Sequence, residues 1–170
     1  MRPDQKAEYR DFVASRQHHL RRFAYLSCGD WHRAEDIVQT AFIKLYTAWT
    51  RVSGESLDAY TRRIIVNTII DDSRRGWFRR ERPTDMVMDR PNGDTDPTDR
   101  LTVLEALEKL PPRRRMTLVL RYWEDMSVDQ TAQIMRCSVN TVKSQTARAI
   151  QSLRVSVVDS TLETPQGAVI

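Results

Sequence analysis

The segment Ser127–Leu153, SVDQTAQIMRCSVNTVKSQTARAIQSL, has the spacing of a helix-turn-helix. Ser127 is a residue type that caps the N-terminus of a helix, so we expect a short helix from there to Met135. The next three residues, RCS, form the predicted turn, and a longer helix begins at Val139 or Asn140 and ends near Leu153. The motif therefore assigns this part of the chain to a helical domain.

Small and aliphatic residues recur in this motif where its core is expected. Ala132 allows the close approach that the second helix needs, and the core is closed by Ile134, Val139, Val142 and Ile150. Ser138 lies where the second helix of such a motif is commonly capped. Arg136 falls where the turn often has glycine, because the backbone is left-handed there, and a non-glycine residue costs on the order of 1 kcal/mol.

The second helix of the motif presents polar side chains that suit DNA. Such side chains donate to phosphates or read base edges in the major groove, and the N-terminal residues of the helix contact the bases. The set is Asn140, Thr141, Lys143, Ser144, Gln145 and Arg148. A plain amphipathic helix pair is the alternative, and the pattern favours the DNA-binding interpretation.

Outside the motif, composition divides the chain into zones. Glycine is scarce, with 5 in 170 residues, and strand-like alternation is rare, which favours an all-α fold. Two helix-like zones, residues 5–80 and 100–154, are separated by residues 81–99 and followed by a tail, residues 155–170, that we expect to be frayed. The separating stretch, ERPTDMVMDRPNGDTDPTD, has too few apolar residues to offset its ordering entropy. The sequence thus predicts two small helical domains joined by a flexible acidic linker.

Three helices are predicted in the first zone. The clearest spans Ala34–Trp49, where apolar residues recur at three- and four-residue steps, namely Ile37, Val38, Ala41, Phe42, Leu45 and Trp49. Its other face carries Asp36, Gln39 and Ile43. An earlier helix covers Gln17–Leu26 and ends near Gly29. A later one, Leu57–Arg75, begins after Ser56 as its N-cap and places on one side Tyr60, Ile64 and Thr68.

Two more helices precede the motif in the second zone. The first carries four leucines at three-residue steps, Leu101, Leu104, Leu107 and Leu110. Pro111 and Pro112 stop it, because proline lacks the amide proton and restricts the residue before it. A helix over Arg113–Trp123 comes next, with inward-facing Met116, Val119 and Leu120.

The charge is distributed unevenly. Residues 60–82 hold seven arginines against three acids, a net charge of +4, and residues 100–154 hold ten basic residues against five acids, a net charge of +5. The linker has six acids against two arginines, a net charge of −4. Basic domains suit phosphates, since each Lys or Arg contact releases a counterion, whereas an acidic linker is repelled by DNA and fits a basic protein surface better.

Longer segments show a specific resemblance. Residues 106–153, ALEKLPPRRRMTLVLRYWEDMSVDQTAQIMRCSVNTVKSQTARAIQSL, resemble region four of the extracytoplasmic-function (ECF) sigma factors of bacterial RNA polymerase. AEDIVQTAFIKLYTAW, residues 34–49, and LDAYTRRIIVNTIIDDSRR, residues 57–75, resemble two helices of region two in the same family. Residues 24–36, AYLSCGDWHRAED, are similar to the actinobacterial SigE-like subgroup.

The resemblance implies a role for each part. Region two, residues 5–80, is expected to bind core RNA polymerase through Asp36, Gln39 and Ile43. It is also expected to capture and melt the −10 element through Arg63, Asn67, Asp71, Arg74 and Arg75. Region four, residues 100–154, is expected to read the −35 element as duplex DNA through the motif's second helix. Gln145 departs from the family pattern, because arginine is frequent there.

Other classes of function lack support in the sequence. His18, His19, Cys28 and His32 lie close together, but Gly29 and Asp30 interrupt the helix that would align them, so we expect no metal and no cofactor. No phosphate-binding loop or nucleophile motif is present, and we expect no enzymatic activity. The two cysteines are far apart and are expected to be reduced thiols. With no apolar stretch of signal or membrane-helix length, we expect a cytoplasmic protein.

Two interpretations of the DNA-binding motif stay open on the residues alone. The first is a sigma factor that directs promoter-specific initiation with core polymerase. The second is a conventional dimeric helix-turn-helix regulator, with the first zone as its dimerisation domain. The resemblance favours the first, since motifs of both regions occur in the correct order. An anti-sigma factor is a further candidate partner that no residue here identifies.

Overall fold

The structure, a computed structural model, describes residues 1–52, 57–76 and 97–162, and all regular structure in these ranges is helical. The predicted all-α class is therefore confirmed. The helices are α1 (Pro3–Cys28), α2 (Trp31–Ala48), α3 (Leu57–Gly76), α4 (Pro97–Glu108), α5 (Pro112–Leu118), a π-helical turn (Val119–Trp123), α6 (Val128–Met135) and α7 (Val139–Leu162). We call α1–α3 the first domain and α4–α7 the second domain.

The first domain is a three-helix bundle whose first two helices meet at a tight corner. Gly29 ends α1 with a left-handed backbone, φ +82°, and its amide donates to the Tyr25 carbonyl at 2.7 Å. Asp30 then caps α2, because its side chain accepts a hydrogen bond from the Arg33 amide at 3.1 Å. The corner folds α2 back along α1, so that their apolar faces meet.

Burial on α2 follows the predicted stripe, and all six of its apolar positions are in the core: Ile37, Val38, Ala41, Phe42, Leu45 and Trp49. On α3 the predicted side is only half-buried, and the fully buried residues are Thr61, Ile65, Val66, Ile69 and Ile70. The first helix begins at Pro3, well before the predicted Gln17. Its N-terminal half is largely exposed, so apolar periodicity is weak there. Ser56 lies outside the described residues.

Boundaries in the second domain differ from prediction at both ends. Helix α4 begins at Pro97, inside the predicted linker, and the rest of that linker up to residue 96 lies outside the described residues. The predicted helix Arg113–Trp123 divides into α5 and the π-helical turn. Helix α7 continues to Leu162, past its predicted end near Leu153, so the first part of the predicted frayed tail is helical.

The two domains pack against each other. One continuous cluster of buried apolar side chains, which we call the shared core, joins α1–α3 to residues of the second domain, namely Met116, Val119, Leu120, Ile134 and Met135. The buried residues of a smaller cluster, Leu107, Leu110, Leu118 and Ala149, belong to the second domain, and Leu26 of α1 packs against them. The sequence predicts two separate domains, and their association is visible only in the structure.

Candidate nucleic-acid interface

The helix-turn-helix begins with a complete capping box. The Ser127 hydroxyl accepts a hydrogen bond from the Gln130 amide at 3.1 Å, and the Gln130 side-chain oxygen accepts one from the Ser127 amide at 2.9 Å. Two amides at the start of α6 are thereby satisfied. The predicted N-cap at Ser127 is confirmed.

The turn has the left-handed backbone expected at Arg136, with φ +52° and ψ +49°. The Arg136 side chain is exposed, so only the backbone carries the strain. The next helix is capped by Ser138, whose hydroxyl oxygen accepts a hydrogen bond from the Thr141 amide at 3.1 Å. Helix α7 therefore starts from a defined position against α6, with its N-terminal residues facing outward.

Four of the six predicted DNA-reading side chains on α7 are exposed, namely Asn140, Lys143, Ser144 and Arg148. Thr141 is half-buried, and its hydroxyl lies 2.8 Å from that of Ser138. Gln145 is also half-buried, whereas the sequence predicts an outward side chain. Its side-chain oxygen accepts a hydrogen bond from the buried Thr117 hydroxyl at 2.9 Å. Gln145 thus links α7 to α5 through this hydrogen bond.

A second polar surface lies on α3, where Arg63, Asp71, Arg74 and Arg75 are exposed and Asn67 is half-buried. Asn67, Asp71 and Arg74 come together in a cleft of about 370 Å³. The opposite wall belongs to the second domain and is formed by Arg113, Met135 and Arg136. Sequence reasoning missed these wall residues, although the basic run PPRRR was a signal of positive charge there.

The third predicted surface lies on the outer face of α2. Asp36, Gln39 and Ile43 are all exposed, and Ile43 is 65% exposed despite being aliphatic. Tyr46, which the sequence reasoning did not select, is 42% exposed and lies at the next helical step. The spacing 36, 39, 43 and 46 is the signal that identifies one continuous face. Ile43 and Tyr46 together expose apolar surface on this face, and it is such adjoining apolar residues, not single ones, that mark interaction surfaces.

Ionisable groups near the domain boundary have shifted pKa values. Burial raises the pKa of the Cys28 thiol above its ordinary value of 9.0, and burial also raises that of Tyr25. Burial lowers the pKa of the Arg115 guanidinium. A protonated, part-buried thiol is a poor nucleophile and a poor metal ligand. Within the described ranges, no group of three or more His, Cys, Asp or Glu side chains is placed to hold a metal ion.

Comparison with known proteins gives these surfaces a common context. Residues 12–79 match the family model of sigma-70 region 2, and residues 100–153 match that of sigma-70 region 4. The chain is 35% identical to the RNA polymerase sigma-E factor of Streptomyces coelicolor, over 92% of this chain and 89% of that one. The chain belongs to the ECF sigma factors of RNA polymerase.

Other relatives agree with this assignment. The sigma factor is 36% identical to the RNA polymerase sigma-E factor of Streptomyces avermitilis over 86% of its length and 83% of that protein's. Its fold is similar to that of the sigma factor RpoE, crystallised in complex with the anti-sigma factor NepR from Bartonella quintana. That match has a TM-score of 0.72 at 24% identity and covers 88% of this chain and 96% of the other.

The assignment decides between the two interpretations of the motif. A sigma factor has both regions on one chain, in the order found here, so the dimeric regulator is not favoured. No helix in the part of the chain that the structure describes is long and apolar enough to cross a membrane.

Proposed function

We propose that this sigma factor binds core RNA polymerase through α2, reads the −35 element through α7 and captures the melted −10 element through α3. The observation that carries the proposal is the preformed face of α7. Its N-terminus is fixed by the Ser138 cap, and Asn140, Lys143, Ser144 and Arg148 project into solvent. Run-off transcription with core polymerase tests the proposal as a whole. We expect a specific transcript that core polymerase alone does not make. The absence of such a transcript would refute the proposal.

The −35 contact is tested on Lys143. Lys143 is proposed as an exposed phosphate contact. Lys143→Ala should therefore weaken binding to the duplex promoter and reduce the magnitude of the slope of log affinity against log salt by about 1. Lys109 is also exposed, and the neighbouring Leu107 and Leu110 pack against Ala149 in the middle of α7. Lys109→Ala is therefore the matched control and should leave the slope unchanged. Equal slopes for the wild type and Lys143→Ala would contradict the phosphate contact.

The −10 contact rests on the row of polar side chains along α3. The Asn67 amide can hydrogen-bond an unstacked base edge, while Arg74 and Arg75 can hold the phosphates of a single strand. We expect Asn67→Asp to reduce promoter melting with polymerase, because the aspartate side chain lacks the amide donor and its charge repels phosphate. Permanganate reactivity of unpaired thymines measures the melting. Unchanged melting would remove Asn67 from the proposed site.

The polymerase contact is assigned to the outer face of α2. Ile43→Ala should weaken binding to core polymerase, because a largely exposed aliphatic side chain gains burial only in a complex. Val103→Ala, which shortens an exposed aliphatic residue of the second domain, is the control. A competition assay against a labelled sigma factor measures both variants, and equal affinities would contradict the assignment.

The remaining parts of the proposal concern partners and location. We propose that the protein is a non-enzymatic initiation factor. We also propose that it is cytoplasmic, because its partners, polymerase and promoter DNA, are in the cytoplasm. RpoE of Bartonella quintana was crystallised with an anti-sigma factor, and we propose that an inhibitor of this kind also binds here. A pull-down from the native host should recover polymerase subunits together with the inhibitor, and recovery of polymerase alone would remove the inhibitor from the proposal.

A further inference from the structure

The cleft beside α3 is lined by three guanidiniums. Arg74 lines it from α3, whereas Arg113 and Arg136 line it from the second domain. Arg113 is held in place, because its terminal nitrogen donates a hydrogen bond to the Met135 carbonyl at 3.2 Å. Arg74 and Arg136 are exposed, so their side chains can adjust to a ligand. Positive charge from two walls thus borders a space of about 370 Å³.

Neighbouring carboxylates do not neutralise these guanidiniums. Among the residues that the structure describes, four other arginines form ion pairs, namely Arg16, Arg21, Arg33 and Arg62. No described carboxylate forms an ion pair with Arg74, Arg113 or Arg136. Of the described lining residues, Asp71 is the only acid, so three guanidiniums face one carboxylate and the net charge is +2. Planar guanidinium donors match the geometry of phosphate oxygens, so the charge of the cleft suits a phosphorylated ligand.

The remaining lining residues suit the other parts of a nucleotide. Ile70 and Met135 are buried, and they supply apolar side chains against which a base can pack. Asn67 is half-buried, and its amide can both donate to and accept from a base edge. The Asp71 carboxylate can accept a hydrogen bond from a ribose hydroxyl, as acidic residues do in dinucleotide-binding folds. A bare phosphate would use none of these side chains, and Asp71 would repel it.

We propose that this cleft binds a free nucleotide that carries at least two phosphates. The guanidiniums of Arg74, Arg113 and Arg136 hold the phosphates. Asp71 accepts a hydrogen bond from the ribose, and Asn67 contacts the base edge. Clefts that hold small ligands measure about 300–1,000 Å³, and this one lies near the lower end, which suits one nucleotide better than a length of nucleic acid. The inference does not rest on the −10 role proposed for α3, because two of the three guanidiniums belong to the second domain.

Isothermal titration calorimetry on the full chain tests the binding of ADP and of GDP. We expect one saturable site per chain for at least one of these nucleotides. Inorganic diphosphate should bind at least about tenfold more weakly than that nucleotide, because it makes no contact with Asn67 or Asp71. The proposal would be overturned if neither nucleotide saturated a site below about 1 mM, or if diphosphate bound equally well.

Asp71 distinguishes nucleotide binding from simple attraction of an anion. Removing an acid from a basic cleft strengthens the binding of an anion that is held by charge alone. If the carboxylate accepts a hydrogen bond from the ribose, Asp71→Ala should instead weaken nucleotide binding by about fivefold. Asp11→Ala, at an exposed position of α1 outside the cleft lining, is the matched control and should leave the affinity unchanged. Equal or tighter nucleotide binding by Asp71→Ala would overturn the proposal.

The contribution of both walls is tested on Arg74 and Arg136. Arg74→Gln and Arg136→Gln should each weaken nucleotide binding by about tenfold, since each loses a charged hydrogen bond to phosphate. Arg10→Gln, at an exposed position of α1 outside the cleft lining, is the matched control for the change in charge. All three positions are exposed, so circular dichroism should show the helix content of the wild type and separate loss of binding from loss of folding. Unchanged nucleotide affinity in Arg136→Gln would overturn the proposal, because the second domain would then make no contact with the ligand.

Discussion

Shortening Leu120 should destabilise both domains, because this side chain of the second domain belongs to the shared core. Leu120 is fully buried, at 0% exposure, and lies in the same apolar cluster as Phe23 and Leu45 of the first domain. Leu120→Ala removes buried methyl groups and leaves a cavity between the domains. In two independent domains, such a change would weaken only the domain that carries it.

The magnitude comes from the burial. Replacing a fully buried leucine by alanine costs about 2–5 kcal/mol, and a central value of about 3 kcal/mol lowers the Tm of a chain of this size by about 6–12 °C. Val103 is an aliphatic residue of the same domain that is 51% exposed, so Val103→Ala is the control. A surface change of this kind should stay within about 0.5 kcal/mol.

Hydrogen exchange with mass spectrometry measures the coupling directly. Helix α2 belongs to the first domain, whereas Leu120 belongs to the second. Peptides from α2 should nevertheless exchange faster in Leu120→Ala than in the wild type and in Val103→Ala. Thermal unfolding should show one transition that moves as a whole. Unchanged exchange in α2, with a second transition that moves alone, would refute the reasoning that the two domains share one core.

Three other predictions concern local geometry. Gly29→Ala should lower the free energy of unfolding by about 1–2 kcal/mol in urea titrations, because the φ of Gly29 is +82° and an added Cβ would lie 3.2 Å from the Arg115 guanidinium. An unchanged free energy of unfolding would contradict this strain. Burial raises the pKa of Cys28 above its ordinary value of 9.0 and that of Tyr25 above 10.0. The stability that each protonated group contributes is therefore complete below its unfolded-state pKa and is lost as the pH rises above about 9 for Cys28 and about 10 for Tyr25. Cys28→Ala should flatten the part of the fall in Tm that begins near pH 9. Ser127→Ala should cost about 1 kcal/mol through loss of the capping box, and a Tm equal to that of the wild type would show that the cap is not needed.

Local patterns predicted most of the helices. The stripe on α2, the cap at Ser127 and the left-handed turn at Arg136 depend on short-range spacing, which a single sequence carries. The boundaries that differed have weak local signals. Helix α1 has an exposed N-terminal half, and α7 beyond Leu153 carries no strong apolar face that would extend the pattern.

The features that escaped prediction are long-range. Gln145 has the polarity of an outward residue, and its hydrogen bond with the buried Thr117 hydroxyl of α5 could not be predicted from its own helix. The burial of the Glu124 carboxylate is equally hard to predict from the sequence, because its partners Arg62 and His19 lie 62 and 105 positions away along the chain. The contacts of Glu124 depend on packing between domains, and that of Gln145 depends on packing between helices. The periodicity within one helix does not contain such long-range contacts.

The π-helical turn at Val119–Trp123 sets the angular phase of the residues after it. The Glu124 amide donates to the Val119 carbonyl, five residues back, at 3.0 Å, so this turn holds one residue more than an α-helical turn. Each residue advances an α-helix by about 100°. Deleting the exposed Tyr122 would restore α-helical phase and rotate the Glu124 carboxylate away from the first domain. A single inserted residue is therefore enough to aim the buried Glu124 carboxylate at its partners across the domain boundary.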